Sequence, residues 1–271
     1  MEPIQFSNFE VRLAETLEDV EAAKALRYRV FYEEMSATPT PEMRAKRLDF
    51  DAFDDICNHL LVVDRNRGNG TPGVVGTYRM LRRSVAMQHR GFYSQQEYDC
   101  SVLLNYPHEI VEVGRSCVDS SYRSRGVMPI MWRGLAAYVF QNDIRMFFGC
   151  ASFPGTRPED MDRALSYLHH YHLAPEPIRP RALPEHYVNM ERLPQSEVEV
   201  QAVLADLPPL IKGYMRLGGF VGDGAVVDRQ FNTTDVCVIV QTDQMASKYD
   251  RHYKRSSSKP AEKATAERGV S

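Results

Sequence analysis

No run of apolar residues in this 271-residue chain approaches the ~20 that a membrane-spanning helix needs; the longest clean stretch is residues 236–240. Positive charge is not in excess either. Lys and Arg number 33 against 36 Asp and Glu, a formal net charge of -3, which argues against nucleic acid as a partner. Residues 1–10 lack the basic-then-apolar pattern of a secretory signal. The five cysteines (Cys57, Cys100, Cys117, Cys150 and Cys237) are odd in number and show no metal-ligand spacing, so they read as reduced thiols in a cytoplasmic protein. Cys117, Cys150 and Cys237 lie in apolar segments and read as small buried hydrophobes. What remains is an ordinary globular composition, 43% hydrophobic and 25% charged, in a chain long enough to bury a sizeable core.

Periodicity organises that core. Residues 11–14 read as a strand. Thr16, with Asp19 three residues on, caps a helix whose apolar positions Val20, Ala23, Leu26, Val30 and Phe31 recur at helical spacing. Residues 35–55 carry Pro39 and Pro41 and no period, which predicts a long loop. Residues 59–64 and 74–81 form a hairpin across a Gly/Asn turn at 66–70. After an irregular stretch, 83–107, come a strand at 110–118, a helix at 128–141 and a strand at 145–152, an α/β unit. A helix over 159–172, a proline-rich crossover at 174–194, a helix at 210–217 stopped by Gly218-Gly219, and strands at 220–231 and 235–242 complete a domain of residues 1–250. The Lys-, Ser- and Ala-rich residues 251–271 read as a disordered basic tail.

The segment Val113-Gly114-Arg115-Ser116-Cys117-Val118, running into Tyr122-Arg123-Ser124-Arg125-Gly126-Val127, holds the clearest chemistry. A strand feeding a basic, glycine-bearing turn that opens a helix makes an anion site, because the turn's free N–H groups and the positive helix end hold phosphate. His169-His170-Tyr171-His172 has no third-ligand motif, so it reads as a satisfied helix end and no metal is expected. Gly222-Asp223-Gly224 reads as a strand bulge or turn.

The order of elements resembles the GNAT-type N-acetyltransferase fold, an α/β mixed sheet flanked by helices, in which this turn grips the pyrophosphate or phosphopantetheine of an acyl thioester. The late Tyr214-Met215-Arg216-Leu217-Gly218-Gly219-Phe220 is similar to that family's tyrosine-ended helix. Met128 stands where a second small residue is usual, which favours a carrier-bound pantetheine over tightly docked coenzyme A. Leu26-Arg27-Tyr28-Arg29, Asp51/Asp54, Gly76-Thr77-Tyr78-Arg79 and Glu112…Arg115 resemble acyl-homoserine-lactone synthases. Phrases such as Asp54-Asp55-Ile56-Cys57-Asn58-His59, Gly149-Cys150-Ala151-Ser152-Phe153-Pro154-Gly155-Thr156 and Leu207-Pro208-Pro209-Leu210-Ile211-Lys212-Gly213-Tyr214 resemble the L-ornithine Nα-acyltransferases over roughly residues 10–250. That resemblance implies a 3-hydroxyacyl group carried by acyl carrier protein, L-ornithine as acceptor, no further cofactor, and lyso-ornithine lipid as product.

Each role has a physical requirement. An alkyl amine is neutral about once per thousand molecules at pH 7, a handicap of roughly 4 kcal/mol, so a base or water relay is needed. Glu112 is the first choice, with a Glu112–Arg115 ion pair as the competing assignment; Ser152 is an assisting hydroxyl. The resemblance implies that the Val118 N–H binds the thioester oxygen. Arg79 is the candidate cation for the acceptor's carboxylate, with Arg27 and Arg29 in reserve, and Asp51 and Asp54 are the acids for its second amine. The donor site is Arg123, Ser124, Arg125, Gly126 and Val127, whose basic side chains also suit an acidic carrier protein. Cys117 and Cys150 have no paired His to make either an acyl-bearing nucleophile. The basic tail and an amphiphilic product suit loose contact with the inner membrane surface. The rivals are an acyltransferase for glutamine or another amino acid, an acyl-homoserine-lactone synthase, which needs S-adenosylmethionine, and a carrier- or lipid-binding module that never turns over.

Overall fold

The computed structural model describes residues 1–67 and 73–243. Thr16 starts the first helix as its neighbours predict. Its hydroxyl accepts the Asp19 N–H (3.1 Å) while the Asp19 carboxylate reaches back to the Thr16 N–H, which satisfies two orphan donors of the first turn. This helix, α1 (Leu17–Tyr28), then widens into a π-helical turn over Arg29–Glu34. Such single wide turns re-aim side chains, and here Phe31 and Met35 line the cavity described below.

Ten strands follow one another as β1 (Ile4–Phe6), β2 (Phe9–Leu13), β3 (Asn58–Asp64), β4 (Val74–Arg82), β5 (Tyr98–Asp99), β6 (Ile110–Val118), β7 (Met146–Pro154), β8 (Arg181–Ala182), β9 (Phe220–Asp228) and β10 (Thr233–Gln241). They join in one sheet in the order β1-β2-β3-β4-β6-β7-β10-β9-β8-β5. Among the strands of the described residues only β6–β7 and β8–β9 pair in parallel, so the α/β mixed sheet expected from the sequence is the one adopted. Leu60 and Leu61 are successive residues of β3 and both are fully buried, on opposite faces, so this strand is covered on both sides.

One face is covered by α5 (Val127–Gln141), α6 (Asp162–His172), α7 (Val200–Asp206) and α8 (Pro209–Arg216). The other carries α1, α2 (Pro41–Lys46), α3 (Arg83–Ala86) and α4 (Ser101–Leu104) with their long connections. The stretch 35–55, expected as loop, therefore contains α2. Thr40 caps it by accepting the Met43 N–H (3.2 Å) and Pro41 opens it, but six residues are too few to show a period. The first expected strand begins two residues earlier, at Phe9, and β1 hairpins onto it. The segment 174–194, read from sequence as an extended crossover, holds a 3-10 turn at Glu176–Ile178 and lies along β9 through β8 and the Val188–Ala225 bridge. The expected tail, 251–271, and most of the 66–70 turn lie outside the described residues. No helix among the described residues is long and apolar enough to cross a membrane.

Two irregularities shape the centre of the sheet. In β6, Arg115 and Ser116 together oppose Tyr78 of β4, a bulge in which Arg115 takes a left-handed φ of 50°. Next to it, β6 and β7 pair only from Ile110–Met146 to Glu112–Phe148 and then part. Gly149 stands where they part, and a Cβ there would lie 2.0 Å from the Val113 carbonyl oxygen. Gly149→Ala is therefore expected to lower stability by roughly 1–3 kcal/mol, the usual range for overpacking, read as a shift in thermal midpoint.

Candidate active site

The parted strands leave a slit through the sheet, and a cavity of about 230 Å³ occupies it. Val113, Ala151, Tyr78 and Tyr214 line it on the α5 side, while Glu112, Ser94, Ser152 and Asp235 line it on the α1 side. Its mouth is apolar, with Phe31, Met35, Phe53, Leu210 and Phe231. The Tyr78 and Tyr214 hydroxyls hydrogen-bond each other, and burial raises both phenols above their ordinary pKa, so they stay protonated near neutrality.

Below the slit runs a closed ring of six charges. Arg27 donates from Nε to Asp49 (2.7 Å) and from both terminal nitrogens to Asp54 (2.8 and 3.0 Å). Arg79 joins Asp54 (3.3 Å) to Asp51 (2.6 Å). Arg115 joins Asp51 (3.1 Å) back to Asp49 (3.4 Å), closing the circuit. Three cations and three anions cancel. Burial would raise the Asp54 carboxyl, but Arg27 and Arg79 outweigh it and hold it well below the usual carboxylate range. Asp51 is lowered for the same reasons, with Arg79 and Arg115 as its cations. Arg27 is wholly buried with all three guanidinium nitrogens engaged, so it is a structural group and not a substrate ligand. Asp54 is likewise spent on the ring. Arg79 and Arg115 reach the cavity wall. The Arg115 guanidinium is sandwiched between Tyr93 (4.8 Å) and Phe231 (4.5 Å).

The Glu112–Arg115 ion pair expected as an alternative is not formed. The bulge turns Arg115 to Asp49 and Asp51, and the Glu112 carboxylate instead accepts the N–H groups of Tyr93 (2.8 Å) and Ser94 (2.6 Å). Those are orphan donors at the start of a 3-10 turn, Tyr93–Gln96, within the stretch read as irregular. Burial raises the Glu112 pKa while these bonds oppose the rise. Ser152 lies opposite Asp235 on β10 and lines the cavity.

Sequence reasoning missed a second acidic group. Glu97, Asp228 and Asp235 bring carboxylate oxygens within 4.8 Å of one another at the α1-side end of the slit. Burial first, and Asp235 second, push Glu97 up to about 8, and burial pushes Asp235 up to about 6. The Cys150 thiol donates to Glu97 (3.2 Å), and burial with that neighbour raises it well above the ordinary thiol range, which leaves no thiolate for nucleophilic work. Burial pushes Cys117 up to about 12. The signal for the cluster lay in Asp235, a charged residue at the head of an otherwise apolar run.

The remaining expected residues lie away from the cavity lining, most of them past the end of β6. Val118 sits beyond the last β6–β7 pair, opposite Gly76 of β4. Ser124 and Gly126 are exposed at the start of α5, and Val127 is fully buried, which leaves its main chain alone for a ligand. Arg123 is exposed, ion-paired to Glu34, and bonded to the Val118 carbonyl (3.2 Å). Arg125 lies over Tyr122 (4.9 Å) and Arg29 lies 3.8 Å from Asp119. None of these seven residues lines the cavity itself. At the histidine-rich end of α6, His170 bonds the Leu193 carbonyl (2.8 Å) and His172 bonds Tyr167 (3.0 Å), while Glu191 brings a carboxylate beside His169 and His170, a third group that the spacing in the sequence did not show.

Residues 26–133 match the model of the acetyltransferase (GNAT) domain. The chain is 44% identical over 252 residues to an L-ornithine N(alpha)-acyltransferase of Rhizobium meliloti (strain 1021), covering 92% of this chain and 85% of that one. It is 41% identical over 256 residues to an L-ornithine N(alpha)-acyltransferase of Brucella abortus (strain 2308), covering 92% and 90%. Among solved structures, FeeM, an N-acyl amino acid synthase from uncultured soil microbes, shares the fold at a TM-score of 0.51 and 8% identity, with 88% of this chain and 94% of that one covered.

Proposed function

The chain belongs to the L-ornithine N(alpha)-acyltransferase family, and we propose that it transfers a 3-hydroxyacyl group from acyl carrier protein to the α-amine of L-ornithine, giving lyso-ornithine lipid, the first step of ornithine lipid biosynthesis. The observation that supports this most is the slit through the sheet. Val113, Ala151, Tyr78 and Tyr214 line its α5 side, the exposed basic turn follows the end of β6, and carboxylates stand at its α1 side, which suits a thioester and an amino acid approaching from opposite faces.

In this reading the pantetheine phosphate of the carrier rests at the start of α5, on the N–H groups of residues 124–127 and on Arg123 and Arg125. The Arg123–Glu34 pair exchanges for the phosphate. The thioester lies between β6 and β7 with its oxygen on the Val118 N–H, a donor typically worth ~3–4 kcal/mol to an oxyanion. The acyl chain takes the apolar mouth. Glu112 receives one proton from the α-ammonium, and each of its oxygens has a lone pair beyond its main-chain bond. The nitrogen bonds to the carbonyl carbon and the carbon–sulfur bond breaks; the leaving thiolate takes a proton from the Tyr214 phenol, and the second proton shed by the nitrogen restores that phenol, whose raised pKa keeps it protonated. Arg115 meets the acceptor's carboxylate. Arg115 and Arg79 both line the cavity, whereas Arg27 is fully buried with its three guanidinium nitrogens engaged.

Purified protein with 3-hydroxyacyl carrier protein and a panel of amino acids, read by mass spectrometry, is expected to yield the ornithine amide. Product with glutamine alone, or methylthioadenosine release from S-adenosylmethionine, overturns the assignment in favour of the corresponding enzyme, and binding without any product overturns catalysis altogether.

A further inference from the structure

We propose that Glu97, Asp228 and Asp235 form the receptor for the acceptor's side-chain ammonium, and so make the site select a dibasic amino acid over a neutral one. This rests on the acyl-transfer reading above and adds what the acceptor must carry at its far end.

The three carboxylates come from the residue before β5, the end of β9 and the third residue of β10. Among the described residues none of them makes an ion pair, in contrast to the three aspartates of the ring. Glu97 accepts only the Cys150 thiol, and Asp228 accepts the N–H groups of Gln230 (2.8 Å) and Phe231 (3.0 Å) through one oxygen. The second observation is independent of this clustering. Asp235, 6% exposed, has an Oδ1 with no well-directed hydrogen bond, and the Thr233 hydroxyl, 3% exposed, makes none either; Thr233 and Ser152 lie near enough to Asp235 to oppose the rise in its pKa, and all three residues line the cavity. Buried polar atoms left unpaired in a cavity wall are a cost that a ligand removes. An ammonium brings one positive charge and three N–H donors. That matches an uncompensated acidic pocket with two open acceptors, whereas a neutral side chain leaves them bare.

Burial and mutual repulsion hold Glu97 at about 8 and Asp235 at about 6, so the empty pocket retains protons near neutrality and an arriving cation displaces them. The assignment also separates the two amines. The α-amine that reacts lies near Glu112, where β6 and β7 part. The second amine lies on the far wall, beside β9 and β10, where it stays charged and does not compete as nucleophile.

The test compares kcat/KM for ornithine and for norvaline, which has the same carbon skeleton without the side-chain amine, in the unaltered protein and in Asp235→Asn and Glu97→Gln. Sites built to pair a polar group reject analogues lacking it by large factors, so the unaltered protein is expected to favour ornithine by at least about 100-fold. In either variant that ratio is expected to fall at least tenfold, with the fall carried by the KM for ornithine. A ratio that stays constant while both rates drop assigns these acids to proton transfer and overturns the proposal, as does equal use of the two amino acids by the unaltered protein. If neither amino acid is acylated, it is the acyl-transfer reading itself that fails. Should Asp235→Asn not fold by circular dichroism, Glu97→Gln decides, since Glu97 accepts a single side-chain contact.

Discussion

Glu112→Gln is expected to slow amide formation by about 10³-fold at pH 7, the middle of the range for removing a positioned general base. The amine's own ionisation sets the size of the effect. Without a base, reaction depends on the neutral minority of the α-amine, and below that amine's pKa this fraction grows about tenfold per pH unit. The variant's single-turnover rate should therefore climb steeply between pH 7 and 9 while the unaltered enzyme's rate stays comparatively flat. The pH contrast separates chemistry from architecture, because Glu112 also anchors the 3-10 turn through the Tyr93 and Ser94 N–H groups. Loss of that anchorage alone lowers the rate equally at both pH values. A loss smaller than tenfold, or a parallel loss at pH 7 and 9, removes Glu112 from the proton path.

Asp54→Asn should be the most destabilising single change in the ring. It leaves Arg27, fully buried, short of one carboxylate, and breaking a buried pair typically costs about 3–5 kcal/mol. At ~2–4 °C per kcal/mol for a chain of this size, the thermal midpoint should fall by roughly 10 °C. Asp51→Asn should cost less, since that carboxylate is partly open to solvent. The sign of the pH dependence follows from the folded carboxyl lying below its unfolded value. The ring's contribution is complete above the ordinary carboxylate range and is lost as pH falls through it, so Asp54→Asn should flatten the acid side of the stability profile. Glu97 and Asp235 act in the opposite sense. Their folded pKa values are raised, so the unliganded fold loses stability as pH rises from about 4 toward 8.

Local chemistry was legible where one stretch of chain decides the outcome. The Thr16/Asp19 box, the Gly218-Gly219 stop and the strand-turn-helix unit around Gly126 all carry their signal within a few residues. Glu112, Ser152, Arg79 and Arg115 were each picked out and each lines the cavity. Their partners were not legible. Arg27 meets Asp49 and Asp54 across 22 and 27 residues, and Arg115 meets Asp51 across 64, so a list of charged residues does not say which of them cancel. The bulge at Arg115 was hidden for a related reason, since it exists only relative to the register of β4. Glu97 was lost inside a stretch whose elements are four residues long or shorter.

The parting of β6 and β7 begins at a fixed pair, Glu112 and Phe148, and widens beyond it, so each substrate meets a different set of walls. On the acyl-transfer reading the tail meets the π turn and α8, and the head group meets the ends of β9 and β10, with Phe231 between those two strands facing both. On that reading, different secondary-structure elements face the two ends of the lipid product, so a change of amino acid and a change of tail begin at different places in the scaffold.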